Sequence, residues 1–451
     1  MDAATARKTP ADGGPGHWTA LIDEIVAGTW VNPETGKAVT TPYRSIVIED
    51  SLDGKEAALV RSLGLAGRLA VVADEATYEA MGRRVASALR GLGTVDVVVL
   101  DHPHADEAQL ADLRDKLAGA ESVIAVGSGT INDIVKFVTA QDGRKYGVFG
   151  TAASMNGYTS TTASITLQSG LKVSRPAQAP QGVFIDLAVN AAAPRRLAAA
   201  GFGDCLCRSV AQVDMWLSHR LWGTRYTKAP FLIQEADEAK LNARAAALGQ
   251  GDRDATGYLQ RVLTLCGLGV SFTGVSNHGS MGEHQISHYI DCFAGERHPG
   301  TLHGQQVGVA SLTMARLQQR ILASETPPTL KPTRIDEADM ARRMGPAVAA
   351  QCLAEHRKKA LDEAGAARMN AVLREIWPAL RYELLEFASP HERMRAMLAA
   401  AHGATTAREL GLDPGFYKEA VRHAREMRNR YSMLDLADDS GLMDEFLEGE
   451  E

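Results

Sequence analysis

Between Tyr43 and Asp186, short apolar runs alternate with stretches of helical periodicity. The runs are Ser45–Asp50 (SIVIED), Arg68–Asp74 (RLAVVAD), Val95–Leu100 (VDVVVL), Ser122–Val126 (SVIAV), Tyr146–Gly150 (YGVFG) and Gly182–Asp186 (GVFID). They are apolar almost throughout rather than at every second residue, which predicts strands buried on both faces. The stretches between them, such as Glu107–Leu117, predict helices covering a parallel sheet. After Asp186 the strand runs fade and Ala-rich helical periodicity takes over, as in APRRLAAAGFGDCLCRSVAQVDMWLSHRLWG. The pattern predicts a loose tail over residues 1–16, an α/β domain over 17–190 and an all-α domain over 191–451. Ligands of such folds sit in the cleft between domains, at the carboxyl ends of the strands.

Composition narrows the class. The chain has 451 residues, 45% apolar and 23% charged, with 48 Lys plus Arg against 55 Asp plus Glu for a net charge of −7. These are globular values. Mild acidity argues against a nucleic-acid surface. No run approaches the roughly 20 apolar residues of a membrane helix, and the start, MDAATARKTPADGGPGHW, lacks a signal-peptide core. Five cysteines (Cys205, Cys207, Cys266, Cys292, Cys352) are too few and too scattered for a disulfide framework. The expectation is a cytoplasmic enzyme with reduced thiols and a small-molecule substrate. The stretch Leu434–Glu451 carries eight acids and no base, and reads as frayed or as a short amphipathic closing segment.

Three blocks carry chemistry. In VIAVGSGTINDIVKF an apolar strand runs into Gly127-Ser128-Gly129, with a helix from near Thr130. Glycines there let the backbone approach a pyrophosphate met by free N–H groups. The spacing G-x-G-x-x-x-D is not that of the usual dinucleotide fingerprint, and a plain strand-to-helix turn reads equally from it. In GTAASMNGYTS, one βα unit later, Thr151, Ser154, Asn156, Thr159 and Ser160 place hydroxyls and an amide at a strand end. The third block holds possible metal ligands. Asp204 lies in GFGDCLCR at an expected helix start. His284 and His288 share a helical face in GEHQISHYID, and His303 begins HGQQVGVA. One carboxylate with two imidazoles leaves open positions on a divalent metal, as Lewis-acid catalysis requires. Cys205 and Cys207 alternate faces and read as core packing.

These blocks, in this order, resemble the iron-containing alcohol dehydrogenase superfamily, and within it the glycerol-1-phosphate dehydrogenase branch, from about Ala27 to Met314. GSGTINDIVK is similar to the cofactor motif G-G-G-x-x-x-D-x-x-K at Gly127, Gly129, Asp133 and Lys136, with Ser128 in place of the middle Gly. GTAASMNGYTS is similar to T-A-x-S-x-D-G, which lines nicotinamide and substrate. GFGD matches the G-x-G-D whose Asp is a metal ligand. S-x-x-x-S-x-x-E-H-x-x-S-H and the later H-G match the segments that give two His ligands. The resemblance implies an N-terminal dinucleotide-binding domain and a C-terminal helical metal-binding and catalytic domain, with Asp204, His284 and His303 on the metal. It places His288 and Asn156 at the substrate, and Gly127, Ser128, Gly129, Asp133, Thr151 and Ser154 at NAD(H) or NADP(H). Zn²⁺ is the implied metal, with Ni or Fe in relatives. The implied assembly is a homo-oligomer, and the implied reaction interconverts sn-glycerol 1-phosphate and dihydroxyacetone phosphate.

Asp74 ends the strand Arg68–Asp74, where an acid could accept from the adenosine ribose hydroxyls and tilt the choice toward NAD(H). Two positions depart from the family pattern. Asn156 stands where Asp is usual, and Ser276-Asn277-His278 stands where S-R-P is frequent. They leave open a dehydrogenase of another alcohol or aldehyde. A lyase resembling 3-dehydroquinate synthase shares fold, metal and NAD, and would return its NAD oxidised each turnover.

Overall fold

The structure is a computed structural model and describes residues 17–450; the tail expected over 1–16 lies outside the described residues. The strands are β1 (Val31–Asn32), β2 (Lys37–Ala38), β3 (Ser45–Glu49), β4 (Gly67–Asp74), β5 (Gly93–Leu100), β6 (Ser122–Gly127), β7 (Lys145–Gly150), β8 (Thr162–Thr166), β9 (Lys172–Pro176) and β10 (Gly182–Asp186). Six of them form one sheet in the order β3-β10-β7-β6-β4-β5, parallel at every pairing. Its near-continuous apolar runs have a direct cause. Ala70, Val72, Val123, Ala125, Val148 and Val183 pack into one core, while Leu69, Val71, Ile124, Val126, Phe149 and Phe184 pack into another. Successive residues of each strand therefore feed opposite faces of the sheet.

Strands β5 and β6 flank β4 on opposite sides, so the chain reverses its path across the sheet there. A crevice opens at the carboxyl ends of strands at such a reversal. Asp74 closes β4 and Gly127 closes β6 at that point. The hairpin β8–β9 is antiparallel and was not expected from the sequence. Its inward signal is short: Ala163 and Ile165 are buried, and Thr162, Ser164 and Thr166 are half-buried.

Among the described residues after Asp186 there is no strand. The helices used below are α1 (Gly129–Asp142), α2 (Arg195–Leu206), α3 (Arg208–Trp222), α4 (Arg253–Thr273), α5 (Gly282–Phe293), α6 (His303–Leu322) and α7 (Met433–Ser440). They build a third core around Phe202, Ile286, Tyr289 and Trp377.

One expectation is corrected: Asp204 lies in the last turn of α2, not at a helix start; α2 ends at Leu206 and α3 begins at Arg208. Of the two readings of the acidic closing segment, the short amphipathic one holds, as α7 and a further helix, Leu442–Glu448. Met433, Leu434 and Leu436 are fully buried, and Asp435 pairs with Lys359 at 2.7 Å. Glu450 accepts from Thr313 at 2.7 Å and pairs with Arg316. The partners of these acids lie 76 to 137 residues away along the chain, beyond any local window.

Candidate active site

The nucleotide-side loop follows from local sterics. A Cβ on Gly127 would lie 2.6 Å from Cβ of Ile131, so the strand can turn into α1 only with glycine there. Ser128 makes no side-chain cap, which leaves the first N–H groups of α1 for an anion. The Thr151 amide donates to the Gly127 carbonyl at 3.1 Å, and the Tyr158 hydroxyl bridges the carbonyls of Gly127 and Ala152. The two βα loops are thus bound together. Thr151 and Ser154 are buried, and their hydroxyls bond to nothing among the described residues.

The expected cofactor residue Asp133 spends its carboxylate elsewhere, accepting from the Ser164 amide at 3.1 Å. Lys136 is fully buried and donates to the Gly157 carbonyl (2.6 Å), Ser160 Oγ (3.2 Å) and the Thr162 carbonyl (3.1 Å). Burial raises the Asp133 carboxyl and lowers the Lys136 ammonium, and each charge opposes the other's shift. This pair shapes the loop that carries Asn156. Asp74 caps the following turn through Oδ1, accepting from the Thr77 amide (2.8 Å) and hydroxyl (2.9 Å). Its second oxygen is free of partners among the described residues.

The second constellation is built by a close helix crossing. A Cβ on Gly203 would run into the carbonyl oxygen of Gly304 and stand 3.1 Å from Cα of Gly308. Glycines therefore let α2 and α6 touch through their backbones, which sets Asp204 beside His303. With His284 from α5, their ligand atoms all lie within 4.8 Å of one another. Each imidazole is aimed. Glu283 accepts from His284 Nδ1 at 2.9 Å, which turns Nε2 toward Asp204 at 3.6 Å. Ser287 bonds His303 Nδ1 at 3.0 Å and donates to Gln306 at 2.8 Å. The Asn156 amide donates to Asp204 Oδ2 at 3.2 Å. Asp204 Oδ1 is sealed from solvent and has no hydrogen-bond partner. A buried carboxylate oxygen facing two imidazole nitrogens, with carboxylate and hydroxyl behind them, is the donor set a divalent metal takes.

The electrostatics agree with this. Burial works against the Asp204 charge, but His284 and His303 outweigh it and hold the carboxyl below its usual range. Burial opposes protonation of His284, yet Asp204 and Glu283 raise it to about 9. His303 is pushed down to about 4 by burial and by His284. His288 is outside the ligand group. Its ring lies 5.6 Å from that of His303, and burial and the charge of Arg428 keep it well below its usual range, hence neutral. Cys207 donates to the Asp204 carbonyl at 3.0 Å, and burial raises its thiol well above the usual range, in keeping with a packing role.

The departing positions have clear surroundings. The Asn156 side chain meets Cys266 Sγ at 3.5 Å. His278 is buried, donates to the Cys266 carbonyl at 3.1 Å, and is pushed down to about 4 chiefly by burial. Two residues absent from the sequence reading also stand here, Arg428 and Arg430. Arg430 reaches Ser276 Oγ (3.0 Å), Ser280 Oγ (3.1 Å) and the Ser280 carbonyl. The R-x-R spacing was their one local signal, and 150 residues separate Arg430 from Ser280.

A parallel sheet with a crevice at its reversal, joined to helices that gather one aspartate and two histidines, has the layout of a metal-dependent nicotinamide dehydrogenase. The profile of the family described as iron-containing alcohol dehydrogenase matches residues 47–194. Glycerol-1-phosphate dehydrogenase [NAD(P)+] of Geobacillus stearothermophilus is 30% identical over 382 residues, covering 81% of this chain and 85% of its own. The enzyme of the same name from Methanothermobacter thermautotrophicus is 31% identical over 272 residues, covering 60% and 75%. The solved structure of glycerol dehydrogenase from Schizosaccharomyces pombe shares the fold, with a TM-score of 0.61 at 17% identity over 93% of each chain. The chain belongs to the iron-containing alcohol dehydrogenase superfamily, in its glycerol-1-phosphate dehydrogenase branch, and is an oxidoreductase.

Proposed function

We propose that this enzyme interconverts sn-glycerol 1-phosphate and dihydroxyacetone phosphate with NAD(H) or NADP(H) and one divalent metal, zinc, held by Asp204, His284 and His303. The observation that carries the reading is the unsatisfied Asp204 Oδ1, buried 3.6 Å from His284 Nε2 and tied through Asp204 Oδ2 to the loop at the end of β7. The names of the relatives supply the substrate. Held by these residues, the metal would supply polarisation of the reacting C–O group, and the nicotinamide would supply or accept hydride.

The protein's own groups do the rest. Glu283 and Ser287 fix the faces that His284 and His303 present. His288, neutral and with Nδ1 unpartnered, stands ready to hold a proton at the substrate hydroxyl. Gly127, Ser128 and Gly129 offer N–H groups to the pyrophosphate, Thr151 and Ser154 offer hydroxyls beside it, and Asp74 offers its free oxygen to the ribose. Asp133 acts on this site through the loop it holds. Asn156 contacts the substrate while its backbone steadies Asp204. The divide between the nucleotide half and the catalytic half falls near residue 190. Five unpaired cysteines fit a reducing cytoplasm, and Val97 and Val99, exposed on edge strand β5, offer an apolar strip for a homo-oligomer.

The test is oxidation of NADH or NADPH by the metal-loaded enzyme with dihydroxyacetone phosphate, beside a panel of unphosphorylated ketones and aldehydes. Turnover of the phosphate ester, abolished by a chelator and restored by Zn²⁺, is the expected result. No net change at the nicotinamide band with any member of the panel would overturn the reading.

A further inference from the structure

Arg428 and Arg430 lie on the short segment that leads from the turn Ala424–Met427 to α7. The segment is pinned against the metal-bearing helix. The Arg430 carbonyl accepts from Gln285 of α5 at 3.1 Å and from Lys359 at 2.9 Å. Both side chains are half-buried, and neither has a carboxylate within ion-pair distance among the described residues. Arg430 bonds two serine hydroxyls and one carbonyl, and Arg428 bonds nothing.

The neighbouring charges compensate them only in part, through Glu283. Lys172 is matched by Asp291 at 2.7 Å. Glu283 commits one carboxylate oxygen to His284 and to the Met281 amide. Two neighbouring half-buried guanidiniums with no paired carboxylate favour an anion between them and the reaction site. Burial and the charge of Arg428 lower Arg430 to about 9, against the opposing charge of Glu283. The bond from Gln285 to the Arg430 carbonyl sets the pair against the turn of α5 that carries His284 and His288, and the charge of Arg428 reaches His288. Arg430 brings a guanidinium to Ser276, next to the uncharged amide of Asn277.

We propose that Arg428 and Arg430 form the subsite for the phosphate monoester of the substrate, beside His288, and set the preference for phosphorylated over unphosphorylated ketones. The planar forks of two arginines match the oxygens of a phosphate dianion. The inference rests on the reading of the substrate as a polyol phosphate. The nicotinamide nucleotide is the other source of phosphate groups, and the experiment separates the two.

Inorganic phosphate is titrated calorimetrically into the metal-loaded full-length enzyme and into Arg428→Met and Arg428→Lys. No hydrogen bond of the fold is lost in either variant. Steady-state kinetics with dihydroxyacetone phosphate and with dihydroxyacetone accompany the titrations. Phosphate affinity should fall about tenfold or more in Arg428→Met and less in Arg428→Lys. The ratio of kcat/KM between the two ketones should fall about thirtyfold, mostly through KM, as expected for losing a hydrogen bond to a charged group. Arg430→Lys, which keeps the charge but not the fork, should fall between. Equal phosphate binding by wild type and Arg428→Met overturns the subsite, as does a ratio that does not move. NADH affinity falling in step with phosphate affinity also overturns it, because the pair then serves the cofactor. A wild type that binds phosphate through Arg428 yet reduces no dihydroxyacetone phosphate keeps the subsite and removes the substrate reading. A wild type that reduces it with an unmoved ratio does the opposite.

Discussion

Gly203 and Gly304 cross backbone against backbone: a methyl group on Gly203 would strike the Gly304 carbonyl, and one on Gly304 would strike that of Ala200. This crossing decides how near Asp204 comes to His303, because each of the two residues is the chain neighbour of one of the two glycines. Gly203→Ala and Gly304→Ala should each destabilise the helical half by roughly 1–3 kcal/mol through overpacking. They should also weaken metal retention. Thermal denaturation and metal analysis after dialysis check both. A variant that melts like wild type with full metal would show that the crossing is slack.

Glu283 and Ser287 touch the imidazoles from behind, at His284 Nδ1 and His303 Nδ1. Glu283→Gln and Ser287→Ala should lower metal affinity by about 10–100-fold without removing a ligand atom. Competition with a chromophoric chelator measures this. Unchanged affinity in both variants would mean that packing alone holds the rings.

Gly129 opens α1 with a Cβ position 3.1 Å from Met155 Cγ. Gly129→Val should crowd both Met155 and the path of a pyrophosphate. Nucleotide affinity should drop about tenfold or more, roughly 1.4 kcal/mol, with metal content intact. Fluorescence titration with NADH reads it out, and an unchanged curve would reduce the loop to a turn.

The buried histidines His278 and His356 make stability depend on acid. Burial pushes each down to about 4, with nearby cations (Arg430 for the first, Arg425 and Lys359 for the second) adding to it. The unfolded chain takes up these protons near pH 6.5 and the folded chain does not. Their contribution is therefore complete above about pH 6.5 and is lost as pH falls toward 4, by roughly 3 kcal/mol for each group. Urea unfolding at pH 7.5 and pH 5 should show wild type losing more stability than His278→Gln or His356→Gln over that interval. Equal losses would remove these two groups as the cause.

The sheet was legible because β6 has no polar residue between Val123 and Val126, and its neighbours read the same way. Asp204, His284 and His303 were legible because each lies in a short local pattern, and the fold brings those three together. What local patterns conceal is the partner of a charge. Asp133 sits in the nucleotide motif, yet its carboxylate faces Ser164, 31 residues on. The acids after Leu434 look solvent-bound in one dimension, yet Asp435 and Asp439 face Lys359 and Arg425 inside the protein. Arg428 and Arg430 look like an ordinary basic helix end until the fold sets them beside Ser276 and His288. The hairpin β8–β9 escaped notice because two inward apolar positions are too few to fix a period.

The bond from the Asn156 amide to Asp204 Oδ2 has a thermodynamic consequence. Asn156 belongs to the loop that leaves β7, and that loop is bound through the Thr151 amide to the Gly127 turn. One short stretch of backbone therefore joins the proposed metal group to the proposed nucleotide loop. Any free energy that ordering this stretch lends to the metal must also be lent to the nucleotide, and by reciprocity the reverse holds. With both ligands at the proposed sites, they would bind cooperatively, each tightening the other by the same factor. A cell short of metal would see the enzyme loosen its hold on the nucleotide as well, so apoenzyme would not accumulate as a silent reservoir of bound cofactor.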